Sequence, residues 1–149
     1  MPSDEINVVR AFVAAVNRRS VRAIGDLMSD DHVFIDPQGH AQRGREAMLA
    51  AWEAYFAVFP DFEIRLETVF AAGDVVAAFG ETAGTFQTAH GLLPQNRVVM
   101  PAAWQARVKN SRVAFWQVYA DWSEGLKIIE RARMADQSPE PPRPAGSSS

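Results

Sequence analysis

The sequence predicts an α+β domain with helices packed on one face of a curved, mainly antiparallel sheet. Three observations predict it. Apolar residues recur at helical spacing up to Phe59, whereas from Phe62 onward they mostly alternate, and the element order is helix, helix, strand, helix, then four strands. The chain has 149 residues, 48% apolar and 22% charged, which is enough for one buried core and ordinary for a globular protein.

Ser3 is placed to cap a first helix from about Asp4 to Arg18, with acids in its first turn and Ile6, Val9, Val13 and Val16 along one stripe beside Phe12. Ser20 caps a short second helix carrying Val21, Ile24, Leu27 and Met28. A strand follows over His32–Asp36, closed by Pro37 and a turn containing Gly39. Gly44 opens a third helix with Met48, Trp52, Tyr55, Phe56 and Phe59 on one stripe, and Pro60 ends it. Phe62 to Phe70 and Val75 to Thr82 read as strands joined by Ala72-Gly73-Asp74. Residues 84–97 read as a loop, Val98 to Asp121 as a hairpin turning at Lys109-Asn110-Ser111, and Trp122 to Met134 as a last helix. Residues 1–135 are therefore taken as one domain, and 136–149, rich in Pro and Ser, as a disordered tail.

Composition removes several function classes. A net charge of −3 without a basic block argues against nucleic acid. With no cysteine there is no disulfide or thiolate metal site. The three histidines lack metal-ligand spacing, so no metal is expected, and no glycine-rich phosphate loop or nucleophile elbow occurs. The N-terminus carries acids where a secretory signal has bases, and no window reaches the ~18–20 apolar residues of a membrane span. A cytoplasmic protein with no membrane partner is the expectation.

The hairpin carries the densest chemistry. Along its strands Gln105 and Arg107 share one parity, as do Phe115, Gln117, Tyr119 and Asp121, and each strand thus has one face of hydrogen-bonding groups set among apolar neighbours. Two such strips side by side suit a small-molecule pocket on a sheet. The opposite parity holds Trp104, Trp116 and Val118, too apolar for water, and is expected to form a homodimer interface.

The element order, with FIDPQGHAQRGREAM and the run FPDFEIRLETVFAAGDVVAAFGETAGTF, resembles the nuclear-transport-factor-2-like (cystatin-like) cone fold. Within it the chain is most similar to the SnoaL-like polyketide cyclases. The motifs are Pro60-Asp61, Gly73-Asp74, Gly84-Thr85, Pro94-Gln95-Asn96-Arg97, and Trp116 to Asp121, and the match covers roughly residues 5–133. The resemblance implies a cone-shaped sheet with helices on its concave face, and places the acid/base of an intramolecular aldol closure on Asp121. A carboxylate desolvated inside the cone would have the raised pKa that suits this role. The simpler reading of Asp121 is a cap for the final helix.

Asp36 resembles the general base of ketosteroid isomerases, which share the fold, or else starts the Pro37 turn. The oxyanion donors of that family align with Phe12 and Ala103, so both are missing. His32 is a candidate proton shuttle, with a surface histidine as the alternative, and His90 a candidate at the entrance. Arg107 is expected to hold an enolate or carboxylate, or else to be solvated. Gln105, Gln117 and Tyr119 are expected to orient substrate. Phe12, Trp52 and Tyr55 are core residues that would also roof the pocket and stack on a flat ligand. The water-holding set of limonene-epoxide hydrolases fits poorly, because its strand aspartate falls near Val118.

The expected activity is acid/base catalysis, without cofactor, on a small hydrophobic carbonyl compound, of the cyclase or isomerase kind. The competing expectation is a non-catalytic binding or dimerisation module of the same fold.

Overall fold

The computed structural model of the chain describes residues 3–137. In chain order the elements are α1 (Asp4–Asn17), α2 (Val21–Asp26), β1 (Met28–Ile35), β2 (Ala41–Arg43), α3 (Arg45–Val58), β3 (Glu63–Ala72), β4 (Val75–Thr85), a 3-10 turn (Pro94–Asn96), β5 (Arg97–Lys109), β6 (Arg112–Tyr119) and α4 (Ser123–Asp136). The strands form one six-stranded sheet in the order β2-β1-β6-β5-β4-β3. Only the β1–β6 pair is parallel. The α+β class and the curved, mainly antiparallel sheet are as the sequence predicts. The disordered-tail expectation falls, from residue 138 on, outside the described residues.

Local chemistry explains the element ends. Ser3 Oγ accepts the Ile6 N–H at 3.1 Å and Ser20 Oγ the Ala23 N–H at 3.2 Å, each satisfying a donor that a helix start leaves free. Between β5 and β6, Asn110 and Ser111 both have positive φ (52° and 62°), a two-residue turn whose twist matches the strands it joins. A bulge between Leu66 and Thr68 bends β3 over β4. Gly80 sits opposite that bulge, where an added Cβ would collide with the Arg65 carbonyl oxygen.

Some element bounds differ from the sequence reading: β4 runs on to Thr85 and α4 to Asp136. Met28 opens β1 rather than closing α2, because its residue pairs with Val113 of β6. The three residues of β2 have no apolar alternation and are all exposed, so nothing in their pattern marks a strand; they pair antiparallel with Val33–Ile35 through the Asp36 turn.

The core lies between α1, α3 and the concave sheet face. Val9, Phe12, Val13 and Val16 of α1 are buried there with Trp104, Ala106, Val113 and Trp116. Phe12 lies 5.0 Å from the Trp116 ring, and Trp116 stacks on Trp104 at 6.2 Å. A polar clasp fixes one end of the sheet: Asp61 accepts both the Thr85 N–H and the Thr85 hydroxyl at 2.7 Å, with Arg97 3.8 Å away. Burial alone would raise the Asp61 pKa, but the Thr85 bonds and Arg97 outweigh it and leave the carboxyl below its ordinary value.

Candidate functional site

A cavity of about 330 Å³ opens between the concave sheet face, α3 and the start of α4. That is at the small end of the ~300–1,000 Å³ range of ligand pockets. Phe34, Trp104, Trp116 and Val118 form its floor, Trp52 and Tyr55 of α3 its roof, and Trp122 and Leu126 one wall. Asp36, Pro37 and Gln38 stand at the opposite rim. Leu126 is 50% exposed and the Asp36 side chain 33% exposed, so the mouth lies between the β1–β2 turn and α4.

The polar groups lining this space are few. Asp36 brings the one carboxyl group among them. Its Oδ1 accepts the N–H groups of Gln38 and His40, each at 2.9 Å, and its Oδ2 lies 3.3 Å from His40 Nδ1. A carboxylate offers about four acceptor directions, so one on Oδ2 is left unused by the turn. Thr82 and Tyr55 bring hydroxyls, neither hydrogen-bonded to a side chain among the described residues. Burial pushes the Tyr55 phenol pKa up, so it stays protonated and acts as a donor. Trp52 Nε1 is buried without a hydrogen-bond partner among the described residues.

The hairpin's two faces are the reverse of the expectation. Trp104 and Trp116 are 2% and 1% exposed and line the cavity with Val118, so they form no homodimer interface. Gln105, Arg107, Gln117 and Tyr119 therefore lie on the outer face and do not reach the cavity. There the Tyr119 hydroxyl donates to Gln105 Oε1 at 3.2 Å, and Arg107 lies 5.4 Å over the Phe115 ring. Ala103, aligned above with a strand oxyanion donor, is on the same outer face, paired with Tyr119 and Phe79. The physical reason is volume: two indoles bury far more apolar surface than two glutamines, and that term decides which face turns inward.

Asp121 is likewise outside. It is fully exposed, its Oδ1 accepts the Ser123 N–H at 2.9 Å, and this bond holds its pKa below the ordinary carboxylate value, opposite to the raised value a desolvated acid would show. Its position fixes the turn into α4 rather than facing a substrate.

His32 is buried (1% exposed), but it does not line the cavity. Its Nδ1–H donates to the Val113 carbonyl at 2.7 Å. That bond falls where the β1–β6 ladder skips from Met28–Val113 to Val33–Phe115, so the imidazole replaces a missing backbone bond. Burial lowers its pKa, against smaller opposing effects of the Val113 carbonyl and Asp31. Phe12 is wholly buried between Trp52, Trp116 and His32 and reaches no cavity surface. His90 is far along the loop before the 3-10 turn, 4.0 Å from Asp136 of α4.

Of the expected site residues, the cavity thus brings together Asp36, Trp52 and Tyr55. It adds Phe34, Thr82, Met100 and Trp122, which the sequence reading passed over. Thr82 shares the inward parity of Val76 and Ala78, a usable signal. Among the described residues no three His, Asp or Glu side chains converge as metal ligands, and no helix is long and apolar enough to cross a membrane.

A curved sheet closed by helices over an apolar chamber defines the class of nuclear-transport-factor-2-like cone proteins. The profile of the SnoaL-like domain matches residues 9–121, and the chain belongs to that family. Among solved structures it is similar to a Xanthomonas campestris protein provisionally assigned as a polyketide cyclase (21% identity, 85% of this chain and 96% of that one, TM-score 0.74). It is also similar to an epoxide hydrolase of the LEH-like kind from M. tuberculosis (20% identity, 89% and 93% covered, TM-score 0.72). A third, from Catenulispora acidiphila, has a ketosteroid isomerase-like fold and was solved with trimethylamine (22% identity, 80% and 89% covered, TM-score 0.71). At these identities the likeness is one of fold. No curated protein sequence matches the chain.

Proposed function

We propose that the chamber takes up one small, largely apolar molecule whose polar end meets Asp36 and the hydroxyls of Tyr55 and Thr82. The observation that carries this reading is the pairing of an aromatic-walled cavity of about 330 Å³ with a single carboxylate at its rim. Fold neighbours solved with trimethylamine and with polyporic acid support occupancy of such a chamber by small guests. Native mass spectrometry of the purified protein tests it: a retained or added small guest is expected at one per chain, and Trp104→Arg, which fills the floor with a charged chain, should abolish it.

Membership of the SnoaL-like family supports a second reading, turnover without a cofactor. A carbonyl compound would lose an α-proton to Asp36 Oδ2. The C–H electron pair would enter the enolate, and Tyr55 and Thr82 would donate to the charged oxygen. Asp36→Asn is expected to lower turnover by ~10²–10⁴. Unchanged turnover would remove the acid/base reading and leave binding in place. The epoxide-hydrolase variant has less support, because the floor holds Val118 where that chemistry needs a carboxylate.

We also move the homodimer contact to the outer face, where Phe79, Val99 and Tyr119 are 48%, 51% and 48% exposed. Light scattering should report a dimer, and Phe79→Glu a monomer.

A further inference from the structure

We infer that the guest is a cation, a lipophilic quaternary or bulky tertiary ammonium ion with its charged end toward Asp36. The inference rests on the small-molecule reading above and narrows it to one charge class. Its basis is the electrical character of the lining. All four tryptophans of the chain, Trp52, Trp104, Trp116 and Trp122, line this one cavity together with Tyr55. Aromatic faces carry negative quadrupole potential and attract cations, tryptophan most strongly.

No Lys, Arg or His lines the cavity among the described residues, although the chain has fifteen Lys and Arg. The His40 ring, 3.3 Å from Asp36 Oδ2, has a side chain 77% exposed. The one carboxyl group in the lining is that of Asp36, with an acceptor direction to spare on Oδ2. An anionic guest would find the Tyr55 and Thr82 hydroxyls as donors but no countercharge, and would face the Asp36 carboxylate. A small, strongly hydrated ammonium would lose too much hydration in so apolar a space. An alkylated ammonium, which spreads its charge over methyl groups, meets both the apolar walls and the negative potential.

The test compares three probes of one shape: benzyltrimethylammonium, its neutral carbon isostere neopentylbenzene, and benzylsulfonate. Because every tryptophan borders the cavity, quenching of intrinsic fluorescence reads binding directly. Benzyltrimethylammonium is expected to bind at least tenfold more tightly than the neutral isostere, and benzylsulfonate most weakly. Asp36→Asn keeps an oxygen to accept the turn's N–H groups and should cut the preference for the ammonium over neopentylbenzene severalfold. Asp74→Asn, which removes the same charge from an exposed turn, should leave the preference intact. Equal or tighter binding of the neutral or anionic probe overturns the inference alone, as does an ammonium preference that Asp36→Asn leaves untouched. If none of the three binds, the small-molecule reading falls and takes the inference with it.

Discussion

The two faces of the β5–β6 hairpin share one backbone and have opposite fates. Inward lie Trp104, Ala106, Trp116 and Val118, which bury the core and floor the cavity; outward lie Gln105, Arg107, Gln117 and Tyr119, where Tyr119 bonds Gln105 and Arg107 covers Phe115. Alternation along a strand tells which side chains travel together, and only the apolar area at stake tells which set goes in. A face is recognisable as a binding surface once it is known to be enclosed. On an exposed sheet the same polar-on-apolar pattern is ordinary surface.

The sharpest way to break this contrast is to truncate adjacent residues on opposite faces. Trp116 stacks on Trp104 and touches Phe12, so Trp116→Ala should cost about 3–5 kcal/mol in urea denaturation. Its neighbour Gln117→Ala should fall within about 0.5 kcal/mol of the parent. Comparable losses at both positions would mean that the faces are not divided as described.

Much of the fold was legible because its signals are local. Ser3 and Ser20 announce their helices, Pro60 ends α3, and the Asn110-Ser111 turn sets the hairpin register. The site was legible only in part. Asp36 stands out by its resemblance to the general base of ketosteroid isomerases, Trp52 and Tyr55 by a helical stripe, and all three line the cavity. Asp121 and the glutamines were singled out from strand parity, which carries no sign, and the expectation of a dimer over Trp104 and Trp116 supplied the wrong one. The β2 edge strand left no trace in the sequence because three exposed residues have no pattern to show.

A smaller effect probes how the two faces are joined. The Asp61 clasp ties the α3–β3 connection to the end of β4 through two short charge-assisted bonds, so Asp61→Ala should cost about 2 kcal/mol. Because its folded pKa is depressed, this contribution is full above the unfolded value of 3.8 and is lost as pH falls through the lower folded value. Acid unfolding of Asp61→Asn should therefore show a shallower pH dependence below pH 4 than the parent.

The mildest expected change concerns His32, the buried ring that stitches β1 to β6 behind the cavity floor. Burial depresses its pKa from 6.5, so between that value and the lower folded one the unfolded chain binds a proton that the native chain does not. Stability is then full above pH 6.5 and declines as pH falls, at no more than ~1.4 kcal/mol per pH unit for one group. His40 is exposed, and His90 lies outside the sheet beside Asp136 with a side chain 27% exposed, which leaves His32 as the histidine buried within the sheet. His32→Asn keeps a donor for the Val113 carbonyl but cannot titrate, so its stability should be flat from pH 7 to 5 where the parent's slopes. A parent curve that is itself flat over that range would show that the imidazole takes up its proton without leaving the sheet, and would detach this position from the inward face.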